Sequence, residues 1–383
     1  MSADPAMIHR ALRLATITAA AAGWSAAAAA GDPEDPARVR RAISHLDARQ
    51  DDWSRFAGAR RGEGADTTTC VSCHTGVSYA LARPELGRFA ATPGPAAPER
   101  RMVAAVGLRV GHWAELDSPR FRLMYDADDR KKAQSRGTEA VLNALILARD
   151  DATGGRATPG AATRAALQHL WGAQATAGDD AGSWDWLDFG LEPWEAGGSR
   201  AFGAALAAIA VGSAPGYLGR GLDEGAAKGV RSLADYLRRR FPGESLYNRL
   251  WILEASTTFE GLLSGEQGRE VVDQLLAARR DDGGWALAAL GDFERVDGTP
   301  QARDSDGYAT GLVLHALLRA GSPSVRPEVA RGLGWLRSHQ QGDGSWAGRS
   351  VNKGRDATTF VGKLMSDAAT ATAALALVEA GSR

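Results

Sequence analysis

The sequence predicts an all-α protein made largely of repeated pairs of helices, and three observations support this class. From residue 137 onward, small alanine-rich segments alternate with more amphipathic ones, and both kinds have apolar residues at helical spacing. The chain contains 46 glycines and 11 tryptophans, and three segments end in the same Gly-x-Trp pattern. Such internal repetition is typical of helical repeat proteins.

The repeats supply most of the predicted helices. Small helices are expected at 138–145, 201–210, 246–255, 306–318 and 367–377, and amphipathic helices at 162–174, 230–240, 270–280 and 328–340. The Gly-x-Trp patterns end at Trp184, Trp285 and Trp346. We expect the glycine to end each helix and the tryptophan to fold back over the helix end, where it buries a large apolar area.

The chain before the repeats is predicted to be helical as well. Helices are expected at 39–56, 76–86 and 100–116, separated by a loop at 90–98 that holds three prolines and a glycine. The predicted organisation is therefore a signal peptide at 1–30, a small helical region at 31–136 and a repeat domain at 137–383.

The first thirty residues have the order of a secretory signal peptide. Two basic residues, Arg10 and Arg13, lie at the start of the segment. The apolar, alanine-rich run 12–30 follows and ends in Ala28-Ala29-Ala30, a small-residue cleavage pattern. We therefore expect an exported protein, periplasmic or extracellular, with no membrane-spanning segment after cleavage. The formal net charge of −1 and the lack of a long basic run argue against nucleic-acid binding.

The only two cysteines of the chain lie in one Cys-x-x-Cys-His motif, Cys70 to His74. Two thiols at this spacing form thioether bonds to the vinyl groups of one haem, and the adjacent histidine binds the iron. Two other interpretations are weaker. A redox dithiol would give the adjacent histidine no role. A structural zinc site needs four ligands, and the chain has no second pair of cysteines. The motif predicts one covalent haem c per chain.

The sixth ligand of such an iron is predicted to be Met124, which lies in an irregular stretch fifty residues after His74. A methionine ligand raises the reduction potential of a haem. Met102 and His112 are alternatives on a predicted helix. For each methionine, filling a gap in the core is the competing interpretation.

The repeat domain resembles a known superfamily. The runs 335–346 and 275–285 are similar to the Q-x-x-x-G-x-W repeats of squalene–hopene cyclases and the wider prenyltransferase-repeat proteins. The resemblance implies an α/α toroid, in which inner and outer helices alternate around a barrel. The run 304–310 is similar to the D-x-D-D-T-A helix start that carries the catalytic acid of the cyclases, although Gly307 and Tyr308 depart from that pattern.

This similarity makes Asp306 and Asp304 the candidate catalytic residues of a cyclase-like acid. Clustered carboxylates raise one another's pKa, which would keep one of them protonated. The competing interpretation is that Asp306 caps a helix, and capping is also the interpretation we favour for Asp367. The cyclase pattern is degraded here, and triterpene cyclases need two such barrels.

A second candidate site is the loop 184–195, which combines four carboxylates with four aromatic rings. Loops before the inner helices of a toroid line one mouth of the barrel. The predicted pocket residues are Asp185, Trp186, Asp188, Glu192, Trp194 and Glu195. We expect either a polar–aromatic pocket or, if Asp185 and Glu192 act as an acid–base pair, a carbohydrate-active barrel.

Together these features predict an exported c-type haem protein on a cyclase-like toroid. It would transfer electrons to a partner protein or oxidise an apolar, isoprenoid-like small molecule. The cyclase-like acid catalyst and the carbohydrate-active barrel are the alternatives. The haem motif is complete whereas the acid motif is degraded, and this difference ranks the redox function first.

Overall fold

The computed structural model describes residues 32–92, 94–219, 221–323 and 326–382; the predicted signal peptide lies outside them. These residues form twelve α-helices and one two-stranded antiparallel sheet, β1 (Arg60–Arg61) with β2 (Thr68–Thr69). The helices are α1 (Asp35–Arg55), α2 (Thr75–Phe89), α3 (Ala97–Gly111), α4 (Asp129–Thr153), α5 (Ala161–Gly172), α6 (Arg200–Ser213), α7 (Glu224–Arg240), α8 (Leu246–Ser256), α9 (Gly265–Ala277), α10 (Gly307–Arg319), α11 (Pro327–His339) and α12 (Leu364–Gly381).

The even-numbered helices form an inner ring. Helix α2 packs on α4, and the contacts continue through α6, α8 and α10 to α12, which returns to α2 and closes the ring. The odd-numbered helices pack outside their inner neighbours. Inner helices such as α6 are buried along nearly their whole length because they contact helices on both sides, which explains their alanine content. The all-α toroid fold is confirmed.

The three Gly-x-Trp patterns adopt the predicted arrangement. Trp184, Trp285 and Trp346 are all buried, and each indole N–H donates to a leucine carbonyl in the helix before it, at 2.6–2.8 Å. The preceding glycines have positive φ angles of 87–100°. A Cβ at Gly182 would lie 2.0 Å from the Ser232 carbonyl oxygen of α7, so only glycine allows this approach.

The same contact places α1 within the repeat. A Cβ at Gly344 would lie 2.4 Å from the Arg41 carbonyl oxygen, so α1 packs on the third Trp loop as α7 packs on the first. Helix α2 lies between α4 and α12. The boundary expected at residue 137 is therefore not visible in the packing, because α1 to α3 complete the ring. The Cys-x-x-Cys-His motif leads directly into an inner helix.

Within the described residues, one segment, Val361–Gly381, is long and apolar enough to cross a membrane by length and composition. It contains the inner helix α12, and 72% of it is buried inside the protein. Its apolar character is explained by its place in the ring between α10 and α2.

Candidate functional site

The Cys-x-x-Cys-His motif is held rigidly where α2 begins. The Ser72 hydroxyl oxygen accepts hydrogen bonds from the backbone N–H groups of Thr75 (3.0 Å) and Gly76 (2.7 Å), and so caps the helix. The Trp53 indole N–H of α1 donates to the Cys70 carbonyl at 2.8 Å. The motif therefore lies at the mouth of the ring where the inner helices start.

The His74 imidazole lies between two tryptophans. Its ring centroid is 5.5 Å from that of Trp53 and 6.1 Å from that of Trp194. Burial lowers the pKa of His74 to about 4, so the ring is neutral at neutral pH. The neutral imidazole is the form that binds metal ions.

One side of this imidazole is occupied by a hydrogen-bonded chain. His74 Nδ1 accepts a hydrogen bond from the Thr75 backbone N–H at 3.0 Å and lies 3.4 Å from the Thr75 hydroxyl oxygen. That hydroxyl donates to Asp367 Oδ2 at 2.6 Å. Nδ1 is therefore an acceptor in the described structure. If Nε2 held a metal ion, Nδ1 would carry the ring proton, and the Thr75 hydroxyl oxygen, whose own proton goes to Asp367, could accept it.

Asp367 is not the helix cap that the sequence suggests. It lies inside the first turn of α12, and its carboxylate accepts from Arg49 Nε at 2.7 Å and Arg49 Nη2 at 3.0 Å. Burial raises its pKa, but the nearby His45 ring and the hydrogen bonds from Arg49 and Thr75 outweigh burial, so the pKa lies below its usual value. The capping interpretation fails because a buried cation, supplied by α1, takes the carboxylate.

Both cysteines are buried and neither is in a disulfide. Burial raises the pKa of Cys70 to about 11 and places that of Cys73 well above its usual value. The carboxyl group of Glu195 lies beside the Cys73 thiol and helps to raise its pKa, and burial raises the pKa of Glu195 itself. Both thiols are therefore protonated in the described structure, and the acidic loop contacts the motif directly.

Cys73 opens onto a central cavity that follows the axis of the ring. The cavity has about 950 Å³ of space outside the protein atoms, part of it open to solvent. Trp194 and Tyr308 lie near Cys73 at the end where the inner helices start. At the other end, near the helix C-termini, the lining is ionic: Glu85, Arg149, Glu254, His315, Arg319 and Glu379.

The six predicted pocket residues of the loop 184–195 do not form one pocket. Trp194 lines the central cavity, Glu195 faces Cys73, and the Trp186 indole N–H donates to the Trp194 carbonyl at 2.7 Å. Trp194 and Glu195 therefore face inward. Asp185, Asp188 and part of Trp186 line a separate polar groove.

The outward residues of this loop are paired with arginines. Asp185 contacts Arg200 at 3.1 Å, and Asp188 contacts Arg130 at 3.2 Å. Burial and the nearby Asp188 raise the pKa of Glu192. The groove holds about 1020 Å³ of space outside the protein atoms, part of it open to solvent.

Asp306 is buried and caps α10. Its Oδ1 accepts from the backbone N–H groups of Tyr308 (2.9 Å) and Ala309 (3.0 Å), and its Oδ2 accepts from that of Leu287 (2.8 Å). Burial raises its pKa to about 6, although these three N–H groups act in the opposite direction. Asp304, expected to be the cause of such a shift, is exposed. Both oxygens of Asp306 are therefore engaged by the backbone.

The predicted sixth ligand, Met124, is buried in the core. Its carbonyl oxygen accepts from Arg61 Nη2 at 2.7 Å, and no described contact joins its side chain to His74. Met102 is buried in α3, and His112 stacks on Phe121 with ring centroids 4.1 Å apart. Within the described ranges, no three His, Cys, Asp or Glu side chains group as metal ligands. Ligation by Met124 stays a prediction.

The structure adds functional candidates that local sequence patterns do not reveal. Trp53, Thr75 and Asp367 surround or orient His74, and Tyr247 contacts Tyr308 in the ring. Thr75 follows the motif directly and was detectable as its neighbour. The others come from distant helices, so no spacing in the sequence connects them.

Comparisons with known proteins agree with this fold. A family model for the squalene-hopene cyclase C-terminal domain matches residues 305–383. No curated protein matches the chain. Among solved structures, one called a wild-type glycosidase is similar with a TM-score of 0.54 at 13% identity, covering 92% of this chain and 99% of that one.

Two further solved structures are similar over the same length. A variant glycosidase in complex with glucose has a TM-score of 0.55 at 13% identity, with 91% of this chain and 99% of that chain covered. A protein from Salmonella enterica, described as a possible member of the GH105 family, has a TM-score of 0.50 at 12% identity, with 90% and 93% covered. At these identities the likeness concerns the fold. The chain is thus an α/α toroid similar to squalene–hopene cyclases in its last repeats.

Proposed function

We propose that this protein is an exported c-type haem protein in which Cys70 and Cys73 attach the haem and His74 binds the iron. The observation that carries the proposal is the arrangement of His74, Thr75 and Asp367 beside the Cys73 thiol, which lines the central cavity. When bound, the haem would supply one-electron transfer.

The residues present fit this group in their chemistry. Histidines that bind metals generally use one ring nitrogen and hydrogen-bond the other to a carboxylate, a carbonyl or water. The Nδ1 side of His74 faces Thr75 and Asp367, which leaves Nε2 for a metal. Cys73 is buried in the core and also lines the central cavity. These observations favour haem attachment over a purely structural role for the motif.

The surrounding side chains would control this site. Trp53 and Trp194 cover the His74 ring and restrict water at it. Arg49 and Asp367 fix the orientation of the imidazole through Thr75. A redox partner protein or an apolar small molecule in the central cavity would exchange electrons at this mouth.

The experiment is intact-protein mass spectrometry of the chain exported from cells with the cytochrome c maturation machinery. We expect the mass of the cleaved polypeptide plus one haem. The Cys70→Ala/Cys73→Ala variant should have the polypeptide mass alone. Export of the wild type without added mass, beside a co-expressed c-type cytochrome that is matured, would refute the proposal.

A carbohydrate-binding function is the second candidate, and the polar groove favours it. Asp185 and Asp188 line that groove, Glu192 has a raised pKa beside Asp188, and the similar solved structures are named as glycosidases. A pair of carboxylates with separated pKa values is the usual apparatus for glycoside hydrolysis. Hydrolysis of oligosaccharides that is lost in Asp188→Asn would support this function, and its absence would leave the redox function alone.

A further inference from the structure

Four aromatic side chains place polar hydrogens at one point beside the central cavity. The Trp194 indole N–H donates to the Tyr308 hydroxyl at 3.2 Å, and the Tyr308 and Tyr247 hydroxyls lie 2.8 Å apart. Trp251 lies on α8 one turn after Tyr247. All four residues are at most 5% exposed. We call these four residues the donor cluster.

The donor cluster has more polar hydrogens to donate than it has acceptors placed to receive them. Two phenols carry two protons, and only one of them can lie in the hydrogen bond between Tyr247 and Tyr308. Among the described residues, the other phenol proton has no acceptor outside this pair, whichever hydroxyl carries it. Buried donors without partners are costly, so such a site implies an acceptor that binds there.

Trp251 adds a second unmatched donor. Its indole N–H faces the two phenol oxygens and lowers the pKa of both tyrosines, but no acceptor lies at hydrogen-bonding distance and angle. Trp251, Trp194 and Tyr308 all line the cavity. Two unmatched donors therefore converge where a molecule in the cavity can reach them.

The surroundings define the chemistry of the acceptor. Near the donor cluster, Asp306 raises the pKa of the Tyr308 hydroxyl, and a ligand anion there would add a second buried negative charge. The arginines that line the cavity, Arg149 and Arg319, lie at its other end. Phe202, Leu312 and Leu375 give the cavity apolar walls. We infer that the central cavity binds a neutral, largely apolar molecule through a carbonyl oxygen, which accepts from the donor cluster. This binding does not depend on haem attachment.

The test compares two ligands of nearly the same shape by isothermal titration calorimetry of the full exported chain. Duroquinone carries two carbonyl oxygens on a tetramethyl ring, and durene is the corresponding hydrocarbon. We expect duroquinone to bind about tenfold more tightly than durene, because each buried hydrogen bond contributes a factor of several. Haem content is measured in the same sample, so failure of haem attachment is seen separately.

The variants assign the effect to the donor cluster. Tyr308→Phe should reduce the affinity for duroquinone about fivefold and leave durene unchanged, and Tyr247→Phe should do the same. Tyr79→Phe is the matched control, since Tyr79 is equally buried but donates to Asp47 at 2.7 Å outside the cavity. Equal affinities for the two ligands in the wild type, binding of neither, or an equal loss in Tyr79→Phe would each overturn the inference.

Discussion

Asp306 and Asp367 are both buried carboxylates at the starts of adjacent inner helices, yet their surroundings are opposite. Asp306 accepts hydrogen bonds only from backbone N–H groups, and no cation contacts it among the described residues. Asp367 binds the Arg49 guanidinium with both oxygens and also accepts from Thr75.

This difference shifts the two pKa values in opposite directions. Burial raises the pKa of Asp306 to about 6. For Asp367, the nearby His45 ring and the hydrogen bonds from Arg49 and Thr75 outweigh burial and hold the pKa below its usual value. The first carboxylate organises the start of α10. The second joins α1, α12 and Thr75, the residue after His74, and so helps to hold the Cys-x-x-Cys-His motif in place.

The largest effect is expected for Asp367→Ala. The change leaves the buried Arg49 guanidinium without its main counter-ion, and breaking a buried ion pair costs about 3–5 kcal/mol. Denaturant unfolding measures the loss. Asp52→Ala is the control because Asp52 contacts the same Arg49 at 3.3 Å but is half-exposed, and it should cost at most about 1 kcal/mol. Equal losses of unfolding free energy in the two variants would show that Asp367 is no more important to Arg49 than the half-exposed Asp52.

Substitution of Asp306 should have a smaller effect that depends on the replacement. Asn keeps the cap on α10 but places an amide NH₂ against the Leu287 N–H, so it should cost about 1–3 kcal/mol. Ala leaves all three N–H groups without an acceptor and should cost about 2–4 kcal/mol. A neutral Asn variant would show that the Leu287 contact contributes nothing.

The same variants separate the structural and the acid-catalyst interpretations of Asp306. We expect no cyclisation of squalene-like polyenes by the wild-type protein, because both oxygens of Asp306 are engaged by the backbone. Turnover that is present in the wild type and lost in a stable Asp306→Asn variant would reverse our ranking of the functions.

The pH dependence of stability should distinguish the two aspartates. With a folded-state pKa of about 6 against an ordinary 3.8, Asp306 favours folding below about pH 4, and this stability is lost as the pH rises to about 6. The loss is on the order of 2–3 kcal/mol. Asp367 acts in the opposite sense. Because its pKa is lowered in the folded state, it stabilises the fold above its ordinary pKa of 3.8, and this stability is lost as the pH falls below that value. Unfolding free energies of wild type and Asp306→Asn between pH 4 and 7 should therefore diverge, and parallel curves would contradict the assignment.

The smallest effect is expected for Thr75→Val, which removes the hydroxyl between His74 and Asp367. We expect a loss of about 1 kcal/mol in stability. In haem-loaded protein, Nδ1 would donate to the Thr75 hydroxyl, which itself donates to Asp367, and such a partner makes the histidine more basic and favours the ferric state. Loss of the hydroxyl should therefore raise the reduction potential. Thr75→Ser keeps the hydroxyl and should leave the potential unchanged. Equal reduction potentials in the wild type and both variants would show that the Thr75 hydroxyl does not influence the haem.

The repeats show how far the sequence predicts this fold. Gly-x-Trp is a local pattern with one physical solution, so the folding back of Trp285 and Trp346 onto the preceding helices was predictable. The closure of the ring by the helices before residue 137 was not predictable from the sequence. It depends on contacts such as that of Gly344 with Arg41, which join the two ends of the chain and leave no local pattern.

The candidate site was predictable only in part for the same reason. The loop 184–195 was identified by its composition, but no periodicity in a loop tells which side chains face inward, so the separation of Glu195 from Asp185 could not be predicted. Arg49 and Asp367 are 318 residues apart in the chain. A capping role for Asp367 was the reasonable local interpretation, and the distant cation overrode it.

The most direct test of the central claim is a pyridine haemochrome spectrum of the exported protein after acid–acetone extraction. The account predicts that the haem stays with the polypeptide and gives the α-band of c-type cytochromes, and that Cys70→Ala/Cys73→Ala retains none. Complete extraction of the haem, or an exported chain that carries no haem in cells that mature another c-type cytochrome, would contradict the assignment of Cys70, Cys73 and His74.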